Sequence, residues 1–240
     1  MKQVVILKTG SKIAELANIS GDYEDWIRAG MGLFPADVTV IDVVAGDALP
    51  VLSDVNAVVI TGSAAMVTDA TQWIERSAEW LRKVVAANIP LLGICFGHQL
   101  LAYALGGRVD YNPHGIEVGT MEIELTADAS HDPLFGAMPT SFPAQLSHRQ
   151  SVVELPAGAR LLASSEMEPH QAFAWGNCAW GIQFHPEFDE RIIPFFIEHY
   201  RGLLEEEGRT VDVLQQKVGL TPESHSLLER FTALVGRTSG

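Results

Sequence analysis

The N-terminal half of the sequence alternates short apolar runs with longer amphipathic segments. The runs are rich in valine, isoleucine and leucine and show little internal alternation; they lie at residues 4–7, 38–44, 57–60 and 90–94. This pattern is typical of strands that are buried on both faces of a parallel sheet. We therefore expect parallel strands in the first hundred residues.

Two of the segments between these strands have the period of an amphipathic helix. One face is apolar at Ile74, Ala78, Leu81 and Val85 in the first segment and at Leu100, Leu101, Ala104 and Leu105 in the second. Asp69 or Thr71 is placed to cap the first helix. Strands separated by helices predict right-handed βαβ units and hence an α/β fold with a mainly parallel central sheet.

The pattern changes after residue 115. Residues 116–125 alternate apolar and polar positions, with a phase slip at Gly119 that predicts a bulge. Further strands are predicted at residues 159–166, 171–177 and 178–184. We expect them to form a small antiparallel sheet beside the parallel one.

The last fifty residues are predicted to be helical. Residues 189–208 suggest one helix that Asp189 can cap, with Pro194 either in its first turn or at a kink. Residues 209–240 suggest one or two short amphipathic helices without a chemical motif.

Composition indicates one folded domain, residues 1–240. Hydrophobic residues make up 47% and charged residues 19%, and no linker-like stretch divides the chain. Acidic residues outnumber basic ones 30 to 16 without a Lys/Arg cluster, so no nucleic-acid partner is expected. The apolar run in residues 1–10 is too short for a signal peptide or membrane anchor, so no membrane partner is expected either.

The two cysteines, Cys95 and Cys178, lie in quite different contexts far apart in the sequence. That arrangement does not indicate a disulfide framework and fits a reducing compartment, the cytoplasm. Cys178 lies in a predicted strand and is expected to be an inert core thiol.

Cys95 lies between Gly93 and Gly97 where a predicted strand meets a predicted helix. The G-x-C-x-G spacing is that of a nucleophile elbow with cysteine in place of serine, a tight turn that leaves no room for flanking side chains. The N-terminus of the following helix stabilises a thiolate, and the N–H of Phe96 is placed to bind an oxyanion. The alternative is a buried structural cysteine in a glycine-bearing turn.

A base for this nucleophile is sought in the segment GIQFHPEF. Gln183, His185 and Glu187 alternate at the end of a predicted strand, so the imidazole and the carboxylate should point the same way. A carboxylate so placed can hold the imidazole in one tautomer while the other nitrogen faces a thiol. Cys95, His185 and Glu187 are therefore the candidate nucleophile, base and orienting group.

The segments GICFGHQLLA and GIQFHPEF together resemble the signature of the class I glutamine amidotransferases. The segments ITGS and LSHRQSV are similar to the amidotransferase domain of GMP synthetase, here in a stand-alone form. The resemblance covers about residues 1–200 and leaves 201–240 as a C-terminal helical extension. It implies a flavodoxin-like three-layer sandwich, with a mainly parallel central sheet flanked by helices and a small antiparallel sheet.

The resemblance also implies roles for individual residues. Cys95 would attack the side-chain amide of glutamine and form a thioester, His185 would protonate the departing ammonia, and Glu187 would orient His185. Substrate contacts are expected at Gln99, Ser147 and His148, and an oxyanion hole at Phe96 with Gly62 or Ser63. Family members often carry two glycines and a proline in that last loop, where this chain reads Thr61-Gly62-Ser63-Ala64.

Other candidate residues have simpler interpretations. Cys95 and His98 have a C-x2-H spacing, but no second pair of ligands follows, so no metal and no cofactor are predicted. His98 is expected to be a packing neighbour at the helix start. Arg149 and His170 are interpreted as surface residues that could also line a substrate mouth.

The partner of the reaction stays open at this point. The sequence has no phosphate-binding glycine loop that would let it activate an ammonia acceptor with ATP. Two enzymatic hypotheses remain: a glutaminase that serves a separate synthase subunit, or a stand-alone γ-glutamyl peptidase that acts on other γ-glutamyl amides. A third hypothesis is a catalytically silent binding protein of the same fold.

Overall fold

The computed structural model describes residues 3–238. Strands and helices alternate in the first half of the chain: β1 (Gln3–Lys8), α1 (Tyr23–Gly30), β2 (Val38–Asp42), β3 (Val55–Ile60), α2 (Gln72–Ala86), β4 (Leu91–Ile94) and α3 (Phe96–Ala104). Each apolar run of the N-terminal half is a strand. The two predicted helices are α2 and α3.

Strands dominate the middle of the chain and helices its end. The strands are β5 (Arg108–Tyr111), β6 (Glu117–Leu125), β7 (Ser141–His148), β8 (Gln150–Glu154), β9 (Arg160–Ser164), β10 (Ala172–Trp175) and β11 (Ala179–Ile182). The helices are α4 (Ile193–His199), α5 (Arg201–Glu206), α6 (Val211–Gln216) and α7 (Pro222–Thr238). Among the described residues, no helix is both long and apolar enough to cross a membrane.

The central sheet joins a parallel and an antiparallel part. Within residues 3–238, nine strands follow the order β2-β1-β3-β4-β11-β10-β9-β6-β7. The first five are parallel to one another, and the others are antiparallel to their neighbours. Strands β5 and β8 form a separate two-stranded antiparallel sheet. The predicted fold class is confirmed, and the long antiparallel strands continue the central sheet instead of packing beside it.

The two faces of the parallel strands are buried against different helices. In β1, Val4 and Ile6 pack into a cluster with residues of α1 and α7, whereas Val5 and Leu7 pack into a cluster with residues of α2 and α3. Successive side chains of a strand point to opposite faces, so burial of both faces requires an uninterrupted apolar run. This three-layer arrangement explains why the strands show no alternation.

Two local predictions are corrected. Strands β6 and β7 pair without a break in register from Glu117 opposite His148 to Glu124 opposite Ser141, so the bulge predicted at Gly119 is absent from this ladder. Gly119 has φ +121°, a value that a side chain would disfavour. The pattern changes phase because opposite faces of β6 are buried at its two ends: Val118 packs in a cluster with α4, and Ile123 packs in the core of the central sheet.

The predicted helix over residues 189–208 is divided at Tyr200 into α4 and α5. Pro194 lies in the first turn of α4, as one of the two predicted alternatives required. Asp189 does not cap α4 with its side chain, because its carboxylate accepts hydrogen bonds from Arg191 and the N-cap residue is Ile192.

The C-terminal helix α7 belongs to the core of the fold. Leu227, Leu228 and Phe231 are fully buried in the same cluster as strand residues of the central sheet. Residues 201–240 were predicted to be a C-terminal extension, but their helix α7 covers one face of the sheet together with α1.

Replacing Gly97 should destabilise the fold. A Cβ at Gly97 would lie 2.6 Å from the carbonyl oxygen of Ile60 and 2.7 Å from its Cβ, which is closer than real Cβ contacts. We expect Gly97→Ala to lower the free energy of unfolding by about 1–3 kcal/mol in urea titrations. In the matched control Gly202→Ala, a Cβ in α5 meets no atom within 4 Å, and stability should stay the same or rise by up to about 1 kcal/mol. Equal effects of the two substitutions would contradict the proposed clash.

Candidate active site

Cys95 joins β4 to α3 in a backbone conformation that side chains rarely adopt. Its φ is +51° and its ψ −103°, and its N–H is anchored to the carbonyl oxygen of Ile182 at 2.8 Å. A Cβ at Gly93 would lie 2.4 Å from the carbonyl oxygen of Gly97, so this approach of strand and helix requires glycine. Strained residues of this kind cluster at functional sites, since the surrounding structure has to hold them in place. The turn has the geometry of a nucleophile elbow.

Helix α3 starts directly at this turn. Cys95 is the N-cap residue, and the N–H of Phe96 belongs to the first helical turn, where backbone donors have no partner within the helix. The positive end of the helix dipole therefore lies at the cysteine, where it favours a negative charge.

His185 and Glu187 form a buried hydrogen-bonded pair. The His185 Nδ1 atom lies 2.8 Å from Glu187 Oε1. The pair lies in the turn just after β11, the strand at whose end it was predicted, and His185 forms a single antiparallel bridge with Gln145. The imidazole stacks on the Phe188 ring with 3.9 Å between the centroids and 3° between the planes. The backbone of the turn is tied down because Gln145 accepts the His185 N–H at 2.8 Å and His225 of α7 bonds to the Pro186 carbonyl.

Cys95 and His185 meet at the loop that follows β3. A Cβ at Gly62 would lie 2.9 Å from His185 Cε1 and 3.8 Å from Cys95 Cβ. Both side chains thus lie within contact distance of one point, although they are far apart in the sequence. Only a residue without a side chain fits between them.

The pKa of His185 is raised to about 10. Burial acts in the opposite direction, but the Glu187 carboxylate and Cys95 favour the charged imidazole through charge and hydrogen bonding, and they prevail. His185 therefore holds its proton at neutral pH. A protonated histidine can act as a general acid toward a neighbouring group.

The loop of Gly62 and Ser63 leaves two N–H groups near Cys95. The Ser63 hydroxyl donates to the carbonyl oxygen of Thr9 at 2.6 Å and accepts from the N–H of Ala65 at 3.0 Å, so its side chain turns away from the cysteine. Gly10 makes room for it, since a Cβ there would lie 2.7 Å from Ser63 Oγ. In residues 3–238, the Gly62 and Ser63 N–H groups make no backbone hydrogen bond. They remain the proposed second half of an oxyanion hole with Phe96.

Cys95 opens into a narrow cavity of about 30 Å³. The predicted substrate residues Gln99, Ser147 and His148 all line it. The Ser147 carbonyl oxygen lies 3.7 Å from Cys95 Sγ. The Gln99 amide donates to the Gln150 carbonyl oxygen at 2.8 Å and to Gln183 Oε1 at 2.9 Å, so it braces the wall of the cavity.

His148 belongs to a second buried pair that the sequence did not suggest. Its Nε2 lies 2.7 Å from Glu117 Oε2 and its Nδ1 lies 2.9 Å from the Gln150 carbonyl oxygen. Burial lowers the pKa of His148, but the Glu117 carboxylate outweighs burial and raises it to about 9. Both ring nitrogens then act as donors, so the imidazolium ring is fixed in the cavity wall.

Three other candidates lie outside the cavity. His98 is fully buried against Phe173, and burial lowers its pKa to about 3, so it is a neutral packing residue. Cys178 is half-buried in the turn between β10 and β11 and not inside a strand, and burial raises its pKa. His170 bonds to the Val152 carbonyl. Within the described part of the chain, no three His, Cys, Asp or Glu side chains are grouped to hold a metal ion.

Arg149 does line the cavity, together with Tyr200, which the sequence analysis missed. Tyr200 follows α4 directly, and its burial raises the pKa of its hydroxyl. Glu117 was also missed because nothing in the sequence pairs it with a histidine 31 residues away. Its only signal was an acidic residue at the start of a strand.

The sequence matches the family model of glutamine amidotransferase class-I over residues 19–192. The chain belongs to this family. A glutamine-hydrolyzing GMP synthase subunit of Saccharolobus solfataricus is 33% identical over 175 residues, which cover 72% of this chain and 87% of that protein. Gamma-glutamyl peptidase 5 of Arabidopsis thaliana is 33% identical over 175 residues, which cover 72% of this chain and 65% of the peptidase.

The structural comparison shows that the fold is shared with solved structures. A crystal structure of a glutamine amidotransferase from Thermotoga maritima matches with a TM-score of 0.74 and 23% identity, over 99% of this chain and 98% of that one. The resemblance inferred from the motifs is therefore confirmed. The class-I glutamine amidotransferase chain described here spans only 24% to 26% of several GMP synthases that it matches.

The His148–Glu117 pair should make stability depend on pH. The pKa of His148 is about 9 in the folded protein, above the value of about 6.5 for a free histidine. The pair therefore contributes fully below pH ~6.5, and up to roughly 3 kcal/mol of that contribution is lost as the pH rises through 9. In Glu117→Gln, urea titrations between pH 6 and about 9.5 should show lower stability at pH 6 and a smaller decline. The exposed control His131→Gln should keep the wild-type slope, and an unchanged slope in Glu117→Gln would exclude this origin.

Proposed function

We propose that the protein hydrolyses the γ-glutamyl amide of glutamine through a thioester on Cys95 and releases glutamate and ammonia. The observation that carries this proposal is the meeting of the strained Cys95 with the buried His185–Glu187 pair around Gly62. A buried structural cysteine has no need of a hydrogen-bonded imidazole and carboxylate beside it. Membership in a family that is generally enzymatic supports the same function.

The proposed first half-reaction breaks the amide bond. The Cys95 thiolate attacks the amide carbon, and the oxyanion is bound by the Phe96 N–H and by that of Gly62 or Ser63. His185 donates its proton to the departing nitrogen, so ammonia leaves and the γ-glutamyl thioester remains. Glu187 keeps the imidazole oriented by accepting from Nδ1.

The second half-reaction returns the enzyme to its initial state. His185, now neutral, removes a proton from water as the water attacks the thioester carbon. The carbon–sulfur bond breaks, glutamate leaves, and the thiolate and imidazolium are restored. Gln99, Ser147 and His148 are the proposed walls against which the glutamyl group is positioned. No cofactor is needed for these steps, and the free thiols fit a reducing cytoplasm.

The second candidate function is a γ-glutamyl peptidase that acts on amides other than glutamine. The observation in its favour is the 33% identity to a protein named gamma-glutamyl peptidase 5. Similar identity to a protein named as part of a GMP synthase supports the glutaminase alternative, in which ammonia passes to a separate synthase subunit. A catalytically silent binding protein would not require the three side chains of the triad.

An affinity label should distinguish an enzyme from a silent relative. We expect 6-diazo-5-oxo-norleucine to alkylate Cys95 alone, since it is the cysteine beside His185, and mass spectrometry of tryptic peptides would locate the adduct. Cys95→Ser should abolish labelling and turnover, whereas the control Cys178→Ser should keep both, because Cys178 lies in a turn remote from the cavity. Equal labelling of Cys178, or none at all, would contradict the proposal.

Substrate preference separates the two enzymatic functions. The wild-type protein should be incubated in parallel with glutamine and with γ-glutamyl peptides of the glutathione type, and free glutamate measured. Turnover of glutamine alone would exclude the peptidase. Release of glutamate from the peptides at a kcat/KM at least tenfold higher would exclude the glutaminase as the main activity.

A further inference from the structure

Arg149 is unusual among the arginines of this chain. Among the arginines whose side chains the structure describes, every other one bonds to a carboxylate or a carbonyl oxygen; these are Arg28, Arg76, Arg82, Arg108, Arg160, Arg191, Arg201, Arg209 and Arg230. Arg149 has no such partner there, although the protein carries 30 acidic residues. Its guanidinium lies over the Tyr111 ring, 5.5 Å from the centroid.

The position of Arg149 connects this cation to the candidate active site. The side chain is half-buried and lines the same cavity as Cys95. It is close enough to Tyr200 for its charge to oppose the effect of burial on the pKa of that hydroxyl. Arg149 therefore contacts the exposed Tyr111 and lines the same cavity as the half-buried Tyr200.

A guanidinium in this setting lacks the partner that suits it best. Its donors form a planar fork that matches a carboxylate with two parallel hydrogen bonds. A ring face holds the cation in place but leaves those donors free. Arg149 can exchange a weak contact with a ring for a strong one with an anion.

The other cations of the cavity are already engaged. His148 is paired with Glu117 and His185 with Glu187. An incoming carboxylate would meet a protein of formal charge −14 and needs one free cation near the cysteine. Among the described residues, Arg149 is the cation near Cys95 that has no hydrogen-bonded or ion-pair partner.

We propose that Arg149, which lies over Tyr111 and lines the Cys95 cavity with Tyr200, binds a carboxylate of the substrate at the mouth of that cavity. This inference rests on the proposed function, since it names the charge that the substrate must carry. The carboxylate is either the α-carboxylate of the γ-glutamyl group or a carboxylate on the departing group. Arg149 would then select γ-glutamyl compounds with a free carboxylate over neutral amides of the same size.

Kinetics with Arg149→Gln tests the inference. We expect KM to rise about 10- to 100-fold, as for loss of a charge-assisted bidentate contact, while kcat changes less than about threefold because the reacting atoms are untouched. Arg149→Lys should fall between wild type and Arg149→Gln. The control Arg108→Gln removes the same charge from an exposed ion pair and should leave KM unchanged. A KM of Arg149→Gln within twofold of wild type for every substrate would overturn the inference.

Blocked substrates identify which carboxylate is bound. The pair of γ-glutamylglycine and γ-glutamylglycinamide differs only in the carboxylate of the departing group, and the pair of glutamine and its α-methyl ester differs only in the α-carboxylate. The penalty in Arg149→Gln should vanish for the member of one pair that lacks the bound carboxylate. A penalty that persists for all four compounds would mean that Arg149 acts on the shape of the cavity and would also overturn the inference.

A binding measurement separates this inference from the proposed function. In the unreactive variant Cys95→Ser, calorimetry should detect γ-glutamylglycine binding that weakens at least tenfold in Cys95→Ser/Arg149→Gln, since this ligand carries both carboxylates. If wild type hydrolyses nothing but this difference is found, the proposed function fails and the carboxylate site stands. If wild type is active and the binding is equal in both variants, the carboxylate site fails and the proposed function stands.

Discussion

The backbone conformation of Cys95 is the constraint on which the candidate site depends. A residue with φ +51° reverses the chain from strand to helix in a single step, and it tolerates no side chain at Gly93 or Gly97. Because the turn is so tight, the sulfur stands free of the backbone at the positive end of α3. Gly62 lies in the loop after the neighbouring strand β3. Its lack of a side chain allows the His185 imidazole to approach Cys95. The thiol, the helix dipole and the imidazole are thus placed by glycines.

Two buried imidazole–carboxylate pairs flank the cavity and differ in purpose. His185 with Glu187 has the Cys95 side chain as its third member, whereas His148 with Glu117 has a backbone carbonyl in that place. Breaking a buried pair leaves an uncompensated charge, so each pair is costly to disturb. The first pair is the proposed proton donor, and the second fixes an imidazolium ring in the cavity wall.

Much of the fold could be predicted because its signals are local. Apolar runs without alternation predicted the parallel strands. The spacing of residues around Cys95 and within residues 183–187 indicated the candidate triad. Other features depend on contacts distant in sequence. Nothing local announces that Glu117 meets His148, that the helical pattern breaks at Tyr200, or that Arg149 would lack an anion. The prediction of a bulge at Gly119 was wrong because a change of phase also arises when opposite faces of one strand are buried at its two ends, as at Val118 and Ile123.

The contact of α7 with the Pro186 carbonyl ties the far C-terminus to the candidate triad. Pro186 lies between His185 and Glu187, so the final helix contacts the peptide that links Pro186 to Glu187. The position of α7 is consequently linked to that of the segment that carries His185 and Glu187. A chimera with another helix of equal length in place of α7 would keep the motifs around Cys95 and His185. It would lose the contact that supports the turn of the candidate residues His185 and Glu187.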